Sequence, residues 1–218
     1  MRKTKLRSAL ALALLILAGA GFAAPKGSAG VNPVFFSGKA WPALSQMTRT
    51  STDAKNDQKK DHLDIVADYF CWSDTKLYAA IQNRGGGFPT SGLLGTEYYS
   101  YMAVFANMGD QKYIWALTLI NVPVAGFKPG LYRIEVKNQK NIKRIADISY
   151  ETVGASNLLR MSCNISSLRA DPLFKGWQNT DQPTFKMVSQ SFKTTIIPFG
   201  TKVQDGTEPG VVLNLLKK

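Results

Sequence analysis

The chain holds one histidine, two cysteines and four scattered glutamates in 218 residues, and this scarcity closes off several kinds of chemistry. Nucleophilic catalysis of the Ser-His-acid type needs an imidazole to take the hydroxyl proton. His62 is the only imidazole, and no Gly-x-Ser-x-Gly turn accompanies it. A zinc site draws on several His or Cys ligands, which are not there to supply it. Glycoside hydrolysis needs two carboxyl groups across one bond. Glu97, Glu135, Glu151 and Glu208 sit near turns or on strand faces, and nothing marks a pair. The expectation is a protein that binds rather than catalyses.

Long apolar runs are scarce as well, with one exception at the front. Arg2, Lys3, Lys5 and Arg7 precede an apolar stretch from Ala9 to about Ala18, and small residues follow at Ala20, Gly21 and Ala23. That order reads as a secretory signal peptide over residues 1–23. The stretch is shorter than the roughly 20 residues that span a bilayer. A secreted or periplasmic protein is expected, not an integral membrane one. Four of the 27 basic residues fall in this leader, so against 15 acidic residues the remainder carries +8. Such a balance attracts anionic partners, among them acidic polysaccharides and cell-surface polymers. Nucleic acid is a poor partner outside the cytoplasm.

Export also permits a disulfide. Read by simple alternation, Cys71 shares a strand face with Leu63, Ile65, Ala67 and Tyr69, and Cys163 shares one with Leu159, Met161 and Ile165. Both thiols should then point inward, either bridged or as two buried unpaired groups. A bridge would close a long loop worth about 4 kcal/mol in the chain-entropy model.

What the chain does have is alternation. Residues 24–30 form a small, polar leader, 31–41 an edge segment, and 48–61 a polar exposed loop, while the core of a single domain runs over 62–218, with 31–61 either ahead of it or part of the same domain. Residues 63–72 and 76–82 alternate about the turn residues Ser73, Asp74 and Thr75, which reads as a hairpin. Further strands are expected over 98–106, 113–120, 131–137, 142–151, 157–165, 185–194 and 211–215, with a short helical turn near Leu168. No amphipathic pattern of several helical turns intervenes. Many short alternating strands predict an all-β fold, an antiparallel β-sandwich of jelly-roll-like form with at most short helical turns.

The run Asp64-Ile65, the segment from Ser73 to Ile81, Phe88-Pro89 and the aromatic Tyr98-Tyr99-Ser100-Tyr101 together resemble the carbohydrate-binding module family 9 and DOMON-like group of β-sandwiches. The strand from Leu158 to Ile165, with Ser167-Leu168 and Asp171-Pro172 after it, resembles that group's late strand and helical turn. The resemblance implies a sandwich with a sugar or haem ligand. For haem, His62 with Met102 or Met108 would be the axial pair. Structural calcium is also common in the resembled group.

Sugar rings stack their C–H faces on flat side chains while their hydroxyls seek polar partners. Trp72, Tyr98, Trp115 and Trp177 are the aromatic candidates, with Asn83, Arg84 and Asn107 as hydrogen-bonding neighbours. Trp72 and Trp115 lie in strands and would equally fill a core. Asp53, Asp57 and Asp61 form an acidic series of the kind hard cations prefer, without EF-hand spacing. Gly85, Gly86 and Gly87 read as a mobile connection rather than a phosphate loop. The basic tip of Lys137, Lys140, Lys143 and Arg144 suits an anionic glycan or a solvated hairpin end. A haem-binding redox domain and an envelope or adhesion protein that binds another protein are the competing readings.

Overall fold

The computed structural model describes residues 30–53, 57–92, 95–107, 110–137, 141–174, 184–196, 199–207 and 211–215. Among the described residues there are thirteen strands: β1 (Val34–Phe35), β2 (Thr48–Thr52), β3 (Ile65–Trp72), β4 (Lys76–Asn83), β5 (Glu97–Asn107), β6 (Asp110–Ile120), β7 (Gly130–Glu135), β8 (Ile142–Ala146), β9 (Ser149–Val153), β10 (Leu158–Asn164), β11 (Thr184–Ile196), β12 (Phe199–Gly206) and β13 (Val211–Asn214). The one α-helix among the described residues, α1 (Ile165–Arg169), has five residues. The expected all-β sandwich is what forms. No helix among the described residues is long and apolar enough to cross a membrane.

One sheet runs β1-β3-β4-β10-β9, with β2 also on β3, and the other runs β12-β11-β5-β6-β7-β8, with β13 also on β11. All pairings between these strands are antiparallel except that of β1 with β3. The hairpin at Ser73 is as expected, its hydroxyl accepting from Lys76 N at 3.0 Å. Two strands were hidden in the sequence. β2 falls inside the segment read as exposed loop, and β12 falls where no strand was assigned.

The core lies between the sheets, built by Phe70, Trp72, Leu77 and Ile81 on one side and Tyr101, Phe105, Trp115 and Leu117 on the other. Phe70 and Phe105 meet edge to face at 6.0 Å across the two layers, a geometry that adds about 0.5–1.5 kcal/mol to plain burial. The other face of the seven-stranded sheet is apolar too, carrying Met102, Val104, Ile114, Ala116, Val188 and Phe192, all nearly inaccessible. Strands apolar on both faces give the almost unbroken apolar runs of 103–106 and 114–117.

A bulge corrects the reading of the cysteines. Ile65 pairs with Asn83 and Ala67 with Gln82, so Val66 is an extra residue in β3. One extra residue turns every later side chain to the opposite face. Leu63, Ile65, Asp68, Phe70 and Trp72 therefore face inward, while Tyr69 and Cys71 face outward, Cys71 packing with Phe36, Met47 and Tyr78. Cys163 faces inward. The two thiols lie on opposite faces of one sheet, with β4 between their strands, and both are free. Two strand spacings amount to about 10 Å, beyond the reach of a bridge.

Burial pushes both thiols up to about 12, which removes the thiolate that reacts. Ellman's reagent should leave the native chain unmodified and titrate both thiols after unfolding. Rapid labelling of the native form would contradict this packing.

Candidate functional site

The end of the sandwich where β3 and β5 begin and β4 finishes gathers an unusual density of charge. Asp64, Asp68 and Asp205 are all buried there. A buried carboxylate is tolerated only when hydrogen-bonded or paired, and each finds its own solution. Turned inward by the bulge, Asp68 accepts from the hydroxyls of Thr50 and Ser51 on β2 and of Thr207, the last at 2.6 Å. Asp64 faces the Arg84 guanidinium at 3.2 Å. Asp205 accepts from Ile65 N at 2.6 Å and Gly206 N at 2.8 Å.

Asp205 also meets Asp53 and Asp57. One carboxylate oxygen from each of the three lies within 4.8 Å of the others. Burial first, and then the charges of Asp53 and Asp57, raise the Asp205 carboxyl to about 7 against the pull of its two backbone N–H donors. Calcium binds oxygens at about 2.3–2.6 Å, so ligand oxygens on opposite sides of one ion lie roughly 5 Å apart. The trio fits that span, and its all-oxygen donor set suits a hard cation. Two of its members, Asp53 and Asp57, are those of the expected acidic series. The third differs: Asp61 pairs instead with Arg84, and Asp205 arrives from the far end of the chain. No local sequence signal marks it, because only the β11–β12 hairpin carries it there.

Beside the trio opens a polar cavity of about 370 Å³, lined by Arg49, Asp53, Gln82, Arg84, Ser156 and Asn157, among others. Asn157 holds a left-handed φ of 48°, which asparagine tolerates better than most residues, and its carbonyl accepts from Asn83 N at 3.1 Å. Gln82 is held by the Tyr69 hydroxyl at 3.1 Å and donates to Ser156 O at 3.3 Å. The Arg49 side chain is exposed and has no hydrogen-bonding partner among the described residues.

A second polar group adjoins this end. His62 is half-buried, not a solvated surface residue, and it stacks edge-on against Tyr99 at 4.5 Å. Its Nδ1 lies 2.8 Å from the Tyr101 hydroxyl, whose proton goes to Pro89 O at 3.2 Å. A carbonyl cannot donate, so Nδ1 carries the ring proton and Nε2 is left as the acceptor. Burial, and then Lys60, lower the imidazole to about 4, which keeps it neutral. Glu97 accepts from Lys193, Lys60 and Tyr99, and these bonds hold its carboxyl down at about 2.

The expected ligand-binding residues separate. Asn83 and Arg84 line the polar cavity, although Asn83 is buried and spends its amide on the His62 and Gly87 carbonyls. Gly86 and Gly87 adopt φ of 76° and 67°, so this run serves backbone geometry. Trp72 and Trp115 are core residues, correcting their assignment to a stacking surface: Trp115 is fully buried and Trp72 packs on Phe35 at 5.1 Å. Tyr98 lies against the outer apolar cluster of the seven-stranded sheet. Asn107 is buried and donates to Leu173 O at 3.1 Å, away from the cavity. Trp177, Met108 and Lys140 lie outside the described residues. His62 packs on the inner face of the seven-stranded sheet and Met102 on its outer face, so these two cannot clasp one haem. No family model matches the chain, and no curated protein aligns with it significantly.

Proposed function

We propose that the chain is an exported, non-catalytic binding module that takes a carbohydrate in the polar cavity beside the Asp53, Asp57 and Asp205 trio. The observation that carries the reading is that Asp53 belongs to both: it lines the cavity and contributes an oxygen to the trio. The leader and the sequence resemblance point the same way. Sugar hydroxyls both donate and accept, and the cavity offers the acceptors and donors of Gln82, Ser156, Asn157 and Arg49. The backbone beneath them is fixed by β3, β4 and β10, which keeps the ordering cost of binding low. Asp53, Asp57 and Asp205 would hold a calcium ion, whose charge offsets three neighbouring carboxylates and ties Asp53 and Asp57 to β12.

Calorimetry against a panel of neutral oligosaccharides, with calcium or with chelator, tests the proposal. Arg49→Ala should weaken the best ligand about tenfold, or about 1.4 kcal/mol, without moving the melting temperature, because Arg49 supports nothing in the fold. Calcium should strengthen binding. A panel with no binder under either condition would remove the carbohydrate reading.

A further inference from the structure

A second cleft lies at the opposite end of the sandwich, between α1 and the β7–β8 edge. It has a volume of about 630 Å³, within the usual range of small-ligand clefts. We infer that it is a separate binding site for carboxylate-bearing sugars, uronate oligosaccharides. This rests on residues of its own and goes beyond the polar cavity described above.

The argument is one of unmatched donors. Asp171 forms the base: it is nearly inaccessible and accepts from Arg133 at 2.6 Å, from Trp115 Nε1 at 3.1 Å and from Leu173 N at 3.2 Å. Those bonds fix the Arg133 guanidinium through one of its nitrogens. Its remaining N–H groups have no hydrogen-bond acceptor among the described residues. On the adjacent strand Lys143 is directly opposite Arg133 in the register, exposed and without an ion pair among the described residues. Ser167 adds a hydroxyl from α1 that has no partner among the described residues. Glu135, two residues along β7 from Arg133, is engaged by Asn141 at 2.9 Å.

A cleft with fixed donors and spent acceptors selects a ligand rich in acceptors. Lys143 supplies the net positive charge, and Arg133, though its charge is paired with Asp171, keeps N–H donors of the kind with which Arg grips a carboxylate. Ile145, Pro172 and Leu173 add an apolar wall to the same cleft. An alkyl acid would use that wall alone. A pyranose acid uses the polar lining as well: its C–H face lies on the wall while its hydroxyls meet Ser167 and its carboxylate meets Lys143 and Arg133.

Trigalacturonate and neutral galactotriose, titrated calorimetrically into the full chain at low salt, are the probes. The acid should bind at least tenfold more tightly than the neutral sugar, and added salt should weaken it because Lys143 is exposed. Lys143→Glu should cost at least tenfold in affinity, with an unchanged circular dichroism spectrum. Arg49→Ala, in the other cavity, should leave acid binding as it is. Equal affinity for the two sugars, or indifference to Lys143→Glu, overturns the inference. So does acid binding that Arg49→Ala abolishes, which would place the ligand in the polar cavity. A neutral-sugar panel without binders sinks the earlier proposal alone.

Discussion

Trp115→Ala should destabilise the chain by about 3–5 kcal/mol, the range for truncating a fully buried aromatic. Two losses combine. The indole is inaccessible and packs edge-on against Phe174 at 4.8 Å, so its removal opens a cavity between the sheets. Its Nε1 also donates to Asp171 at 3.1 Å, and without it a buried carboxylate loses one of three donors. Trp115→Phe separates the terms: most of the ring volume stays, the N–H goes, and the cost should fall to about 1–3 kcal/mol. Urea unfolding followed by circular dichroism measures both. A loss below about 1 kcal/mol for the alanine variant would mean that Trp115 does not fill the core as described.

Asp205→Asn should act in the opposite direction, and only in the absence of a cation. The folded-state carboxyl titrates near 7 against 3.8 in the unfolded chain. The folded form therefore holds its proton more tightly. Its contribution is complete below about pH 4 and is lost as the pH rises through 7. In chelator the melting temperature should fall between pH 5 and pH 8. An asparagine there has no charge to bury, so the variant should lose most of that slope. At pH 8 the gain should be at most about 1 kcal/mol, discounted for solvent screening, because the single amide oxygen keeps only one of the two backbone N–H bonds; that is a few degrees for a chain of this size. Calcium reverses the comparison: the parent chain should rise in melting temperature and the variant should respond little. If chelator and calcium give identical curves for the parent chain, the trio holds no cation.

The fold was legible because side-chain alternation carries most of the information in a sandwich. β4, β5, β6, β7 and β10 follow directly from it. Alternation fails where a strand changes phase without changing composition. Val66 is as apolar as its neighbours, so nothing in the sequence shows that it is an extra residue. The inward turn of Asp68 and the separation of Cys71 from Cys163 both follow from it. β2 and β12 escaped for a related reason. They carry polar residues such as Arg49, Thr50 and Ser51, or Thr201, Lys202 and Gln204, which signal a loop unless their hydrogen-bonding neighbours are known.

The site was half visible on the same grounds. Asp53 and Asp57 sit close in the chain and stand out as a series, whereas Asp205 joins them through the pairing of β11 with β12. Aromatic residues misled because a tryptophan that fills a core and one that stacks on a sugar look alike in one dimension. Trp115 carries the signature of a core residue only once Phe174 and Asp171 are seen against it.

The margins of the two sheets have a further consequence. β3 and β11 each present their outer edge to two strands placed end to end, two-residue β1 and five-residue β2 in one case and eight-residue β12 and four-residue β13 in the other. At the other side, five-residue β8 carries Lys143 and Arg144, and five-residue β9 carries Glu151. Among the described residues the borders of both sheets are broken or charged, and such borders are how sandwiches avoid stacking side by side into fibrils. A neighbouring molecule therefore meets mismatched borders rather than a template.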